Sequence, residues 1–188
     1  MHKSIIKGDC YMFEWEDVAT KTEMEFVLKC IHEKICNKKI VKIFDLYGNT
    51  FNWKKKEKSY VCTDDDVYIM FEDNSCIIIN LVNRSAAWIK YKKLSKKEKE
   101  EFNTINDMFT FENNNFNYDS IHEFKVNSFS HEYEKWISNG NTSNMITIPA
   151  GGDYFDKITI VLKNNIEICI QAEDAMSDGY CDIWVDNK

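Results

Sequence analysis

The apolar positions of this chain switch between two periods. Met24, Val27, Leu28, Ile31 and Ile35 recur at the three- and four-residue spacing of one helical face. Thr22, with Glu25 three residues later, has the makings of a capping box, so a helix is expected from Thr22 to near Asn37. The period then falls to two, at Val41 and Ile43, at Val67, Ile69 and Phe71, and at Ile77, Ile79 and Leu81. Glu72 to Ser75 is a polar interruption of tight-turn length, so the last two runs predict a hairpin. A second helix is expected from Ser95, capped with Glu98 and carrying Phe102, Ile105 and Phe109 on one side. Strand-like segments follow around Ile121 to Val126, Met145 to Ile148, Phe155 to Leu162, Ile166 to Ile170 and Tyr180 to Val185.

The two strand-rich regions resemble each other. Val67, Ile69, Phe71, Asn74, Ile77 and Ile79 each meet a like residue 91 positions on, at Ile158, Ile160, Leu162, Asn165, Ile168 and Ile170. Upstream, Val41, Ile43 and Trp53 align with Phe124, Val126 and Trp136 at a separation of 83, with extra residues at a bend over Pro149 to Gly152. An internal duplication is therefore expected, with repeat units 39–94 and 119–188 joined by 95–118. The fold class this predicts is α+β, a single compact domain over 1–188 built of antiparallel sheet units, an N-terminal helix and a central linking helix.

Composition narrows the class. A chain of 188 residues with 44% hydrophobic and 14% aromatic residues can bury a core without disulfide or metal support. Seven cysteines are an odd number, and Cys30, Cys62, Cys76, Cys169 and Cys181 lie in apolar runs, which predicts free buried thiols. The first residues lack the apolar core of a secretory signal and no window approaches a membrane span, so a cytoplasmic protein with no membrane partner is expected. The formal charge of −7 argues against general nucleic-acid binding. That charge is unevenly spread. From Asn83 to Lys99 seven bases face only Glu98, whereas from Asn164 to Lys188 six acids face only Lys188.

No motif for catalysis or cofactor binding stands out, and neither a cofactor nor a metal is expected. His32 lies two residues from Cys30, a spacing that turns the two side chains to different helix faces. His122 and His131, each followed by a glutamate, are the better pair for acid–base chemistry, and a small hydrolase using them is the alternative function. The cysteine spacings lack the close pairing of zinc loops, and Asp64 to Asp66 lacks the glycine-centred alternation of a calcium loop. Gly151 and Gly152 precede a strand, unlike a phosphate loop, which leads into a helix.

One stretch mixes acids with aromatics. Glu173, Asp174, Asp178 and Asp182 are interspersed with Tyr180 and Trp184, a composition suited to a basic protein partner. Carboxylates there would steer association and the rings would supply rigid contact area. Asp64 and Asp65 are candidate additions to that surface. The structural alternative is that Ile183 and Trp184 belong to a core strand and the acids keep a loop solvated.

The run from Phe155 to Val185 resembles the closing hairpin of bacterial immunity proteins, the antidotes of polymorphic and contact-dependent growth-inhibition toxins, with a fainter echo from Asp66 to Tyr91. Richness in Lys, Asn and Ile with a single proline suits coding from an AT-rich bacterial genome. The resemblance implies a non-catalytic protein that binds a cognate toxin domain, expected to be a nuclease, and blocks it. An interaction module of other purpose, presenting the bases between Lys90 and Lys99 to an acidic partner or RNA, is a further alternative.

Overall fold

The computed structural model describes residues 6–7, 10–14, 21–47, 51–55, 58–81, 88–109, 117–139, 142–172 and 181–187, with side chains over 28–47, 61–81, 89–109, 117–125, 157–171 and 181–186. In chain order the elements are β1 (Ile6–Lys7), β2 (Cys10–Glu14), α1 (Lys21–Ile35), β3 (Ile40–Phe44), β4 (Phe51–Lys55), β5 (Lys58–Thr63), β6 (Val67–Phe71) and β7 (Ser75–Asn80). They continue with β8 (Trp88–Lys93), α2 (Lys96–Asn103), β9 (Ile121–Asn139), β10 (Thr142–Leu162), β11 (Ile166–Ala172) and β12 (Cys181–Asn187). The strands form two six-stranded sheets, ordered β1-β2-β8-β7-β6-β3 and β4-β5-β12-β11-β10-β9. Every strand pairing is antiparallel, so the α+β class holds.

Alternation along the strands decides what each sheet buries. Val67, Ile69, Ile77, Ile79 and Ile89 of the first sheet share one apolar cluster with Ile158, Ile160, Ile168, Ile170 and Ile183 of the second. Ile31 and Ile35 of α1 enter the same cluster, with Leu28 packed beside them, as the helical stripe requires. The helix begins at Lys21, so Thr22 lies inside its first turn, and beyond its last turn Asn37 takes a left-handed conformation, φ 65°.

The two sheets repeat one hydrogen-bond register. Val67 pairs with Ile79 and Ile69 with Ile77; 91 residues on, Ile158 pairs with Ile170 and Ile160 with Ile168. Both hairpins turn through a left-handed asparagine, Asn74 at φ 61° and Asn165 at φ 63°. Each donates its backbone N–H across the turn, to Phe71 O at 3.1 Å and to Leu162 O at 3.0 Å. Asparagine tolerates positive φ better than other residues with a Cβ, which accounts for the two turns.

Upstream the expected alignment is corrected. Ile40 and Ile43 sit opposite Phe71 and Ile69, while Ile121 and Phe124 sit opposite Leu162 and Ile160, a separation of 81 rather than 83. An irregularity between Ile40 and Lys42 breaks the simple alternation and leaves Val41 46% exposed. With that offset, Lys39 corresponds to Ser120, and these two residues form an antiparallel bridge where the sheets meet. The surrounding bonds come in matched pairs. Glu72 N–H donates to Lys39 O at 3.1 Å and Lys163 N–H to Ser120 O at 2.9 Å; Ile40 N–H donates to Asp119 O at 3.4 Å and Ile121 N–H to Lys38 O at 2.9 Å. Exchanging the two halves leaves this pattern unchanged, as a local two-fold would.

The halves are nonetheless not contiguous in sequence. β4 and β5 lie within the expected unit 39–94, yet β5 pairs with β12 and so completes the second sheet. The equivalent edge of the first sheet is taken by β2, paired to β8. The segments expected as separate strands between Ile121 and Leu162 belong to two long strands, β9 and β10. Pro149, expected at a bend, lies within β10 where the register jumps from Pro149 opposite Glu132 to Tyr154 opposite Ser130.

α2 seals the outer face of the first sheet. Its capping box is formed, Ser95 Oγ accepting from Glu98 N–H and the Glu98 carboxylate accepting from Ser95 N–H. Phe102 packs its ring 5.3 Å from Phe44 and 5.5 Å from Tyr68, over Met70, Cys76 and Ile78. The helix ends at Asn103, so Phe109, expected on its face, instead joins the main cluster between the sheets.

Candidate functional site

The register of the second sheet brings the ends of β5, β11 and β12 together. Thr63 at the end of β5 lies opposite Cys181 at the start of β12, and Ala172 at the end of β11 also lies opposite Cys181. The Asp64–Asp66 crossover therefore leaves the sheet beside Ala172 and Asp182. Glu173, Asp174, Asp178 and Tyr180 themselves lie outside the described residues. Asp64 is exposed, while Asp65, Asp66 and Asp182 are half-buried.

The crossover is fixed by its own polar side chains. Asp65 N–H donates to Thr63 Oγ1 at 3.1 Å, a local turn in which the hydroxyl replaces a backbone acceptor. The hydroxyl in turn donates to Asp45 Oδ2 at 3.1 Å, and Asn80 Nδ2 holds Asp66 Oδ1 at 2.6 Å. Thr63 and Asp45, at 0% and 2% exposure, form a buried polar seam beneath the exposed Asp64. An otherwise flexible acidic loop is thereby given a set position, which lowers the entropy cost of binding.

The neighbouring outer face of the second sheet differs from its counterpart. Where the first sheet has Phe44, Tyr68, Met70, Cys76 and Ile78 under α2, the same register positions here carry Lys125, Thr159, Val161, Glu167 and Cys169. Burial pushes the Cys169 thiol up, which keeps it protonated and unreactive. Trp184, expected as an exposed aromatic anchor, is only 9% exposed, a correction to that reading. Its Nε1 donates to Asp186 Oδ2 at 3.1 Å, and Lys157 Nζ lies 4.9 Å from the ring centroid. Asp182, one strand position from Trp184 on the same face, pairs across to Cys62 and Gln171.

His122 and His131 lie nine residues apart on the single strand β9, roughly 30 Å along an extended backbone. His122 is exposed, and His32 is half-buried on α1. Among the described residues no group of three or more His, Cys, Asp or Glu side chains could hold a metal ion. No described helix is long and apolar enough to cross a membrane.

Three buried or half-buried ionic groups escaped the sequence reading, and each is structural. Lys42, at 8% exposure, donates to the carbonyls of Phe102 and, at 2.7 Å, Ile105, closing the C-terminal end of α2. Burial holds its ammonium below the ordinary lysine value despite the nearby Asp107. Asp107 is itself raised by burial, against hydrogen bonds from Phe109 N–H at 2.8 Å and Tyr118 Oη at 2.9 Å. Lys38 donates to Ser75 Oγ at 2.7 Å, Tyr91 Oη at 2.8 Å and the Asp73 carboxylate, pinning the β6–β7 turn. Burial opposes its charge, but these partners outweigh it and hold the ammonium above its usual value. The only sequence signal was a lysine in an otherwise apolar strand, IVKIF.

Two lysines of the basic segment are paired with acids of α2. Lys92 pairs with Glu98, and Lys96 reaches Glu100 at 3.9 Å along α2.

No family model matches the chain, and no curated protein or solved structure matches it.

Proposed function

We propose that this protein is an immunity-type inhibitor, which binds the basic toxin domain of its own system in the bacterial cytoplasm and neutralises it. The observation that supports the reading is that Thr63, which leads into Asp64–Asp66, lies opposite Cys181 beside Asp182, at one end of the second sheet. Carboxylates held on a braced crossover attract a cationic groove, such as a nuclease uses for phosphates, without needing to rearrange. Catalysis is not part of the proposal. His122 and His131, the alternative acid–base pair, lie nine residues apart along β9.

The test joins genetics to kinetics. The protein, tagged and recovered from its native cell, is expected to bring down a toxin C-terminal domain encoded beside it, at one-to-one ratio. Reversal of Asp64 and Asp65 to lysine, alone and with Glu173, Asp174 and Asp178, is expected to slow association by about tenfold or more at low salt. Thermal stability should change little for Asp64→Lys alone, since Asp64 is exposed. Association that stays fast in low salt after these reversals refutes the acidic-end assignment.

A further inference from the structure

We infer that Tyr47 is the aromatic anchor beside the acidic crossover, a ring across which an arginine of the basic partner lays its side chain while its charge meets the carboxylates of Asp64–Asp66. This deepens, and rests on, the reading of a basic protein partner. Tyr47 is 75% exposed, whereas Tyr68, Tyr91 and Tyr118 are buried. Trp184, the ring expected in this role, is buried as well. A single exposed ring is ordinary on a protein surface, so its position is what singles Tyr47 out.

Two segments distant in sequence meet at that position. β3 pairs with β6 so that Phe44 lies opposite Tyr68, and the chain beyond Phe44 therefore runs alongside the residues that precede Tyr68, which are the crossover acids. Thr63 Oγ1 donates to Asp45 Oδ2 at 3.1 Å, tying the segments together two residues before Tyr47 and one before Asp64. The Tyr68 phenol, raised first by burial, also interacts electrostatically with Asp66, Cys76, Tyr47 and Asp65, so the exposed ring and two of the acids surround one hydroxyl. Leu46 packs against the apolar cluster of Phe44 and Phe102. The backbone that carries Tyr47 is thus held by a buried hydrogen bond at Asp45 and by packing at Leu46, and the ring is presented with little ordering left to do on binding. A tyrosine offers large contact area with only two side-chain torsions to fix, and a guanidinium both stacks on an aromatic face and pairs with carboxylates.

The probe is the toxin domain encoded beside the gene, purified in a catalytically inactive form, and the readout is its association and dissociation rates with full-length variants. A ring adds contact area without charge, so its loss speeds dissociation, whereas loss of an exposed carboxylate slows association. Tyr47→Ala should raise the dissociation rate about tenfold, by nearly the same factor at low and high salt, with association and the thermal transition close to those of the unmodified protein. Tyr47→Phe keeps the ring and should stay within about twofold of the unmodified protein. Val41→Ala, which trims the exposed aliphatic at the other end of β3, should change neither rate. If Tyr47→Ala dissociates no faster than Val41→Ala, the anchor is refuted while the acidic-end reading stands. If the toxin domain fails to bind the unmodified protein, the inhibitor reading falls and the anchor falls with it.

Discussion

Replacing Phe102 with alanine removes the one ring of α2 that reaches the outer face of the first sheet. Phe102 is 5% exposed and meets Phe44 and Tyr68 edge-on, at interplanar angles of 62° and 69°. Burial of a phenylalanine plus the cavity left behind is worth about 3–5 kcal/mol, a range that already includes two aromatic pairs of roughly 0.5–1.5 kcal/mol each. The site lies under a helix of 8 residues at the surface, which can settle inward and recover part of the loss. The carbonyl of Phe102 also accepts from Lys42, so any shift of the helix loosens the bond that satisfies a buried ammonium. These effects oppose each other, and the expected loss is about 3 kcal/mol. Urea unfolding followed by circular dichroism measures it, with Phe102→Leu expected to lose only about 1 kcal/mol because most of the volume stays. A loss below about 1 kcal/mol for Phe102→Ala, at unchanged m-value, would show that α2 is not packed on this sheet and would refute the account of its second apolar layer.

Further predictions follow from the turns and the charged clamp. Asn74→Ala and Asn165→Ala should each cost about 1 kcal/mol, because both residues sit at positive φ, while the corresponding glycine variants should remain near the unmodified stability; equal tolerance of alanine in thermal melts would contradict the left-handed turns. Glu98 is held down to about 2 by Lys92 and by the Ser95 hydroxyl and N–H. Its folded value lies below the ordinary 4.5, so its contribution is full above that pH and is lost as the pH falls toward about 2. The side chain is 32% exposed, so screening keeps this below about 1 kcal/mol. Glu98→Gln should therefore unfold with a shallower dependence on pH between 4.5 and 2, and an unchanged slope would remove the Lys92–Glu98 clamp from the account.

Sequence alone determined the features that one segment settles by itself. Period-two alternation marked β6, β7, β10 and β11 because each buries alternate residues whichever strand lies beside it. The Ser95–Glu98 box and the two asparagine turns were legible because a few adjacent residues make all their bonds. The α+β class followed from these elements together. Of the candidate site, the acids at Asp64, Asp65 and Asp182 could be named, but not the pairing of β5 with β12 that sets Thr63 opposite Cys181.

Tertiary structure decided the rest. A strand's partner is chosen by packing far along the chain, so nothing in residues 51–63 announces that β5 will cross to β12 instead of staying beside its sequence neighbours. β1, β2, β4 and β8 passed unnoticed for a related reason: β1 and β2 are short, while β4 and β8 carry lysines that blur the alternation. Lys42 reads as solvent-facing, yet the carbonyls at the end of α2 come within its reach and make its burial tolerable. Trp184 reads as exposed beside its acids, yet it is buried in the sheet with Lys157 Nζ 4.9 Å from its ring. Local hydrogen bonding and periodicity are written in adjacent residues, whereas burial and strand partnership depend on which distant segments the core draws together.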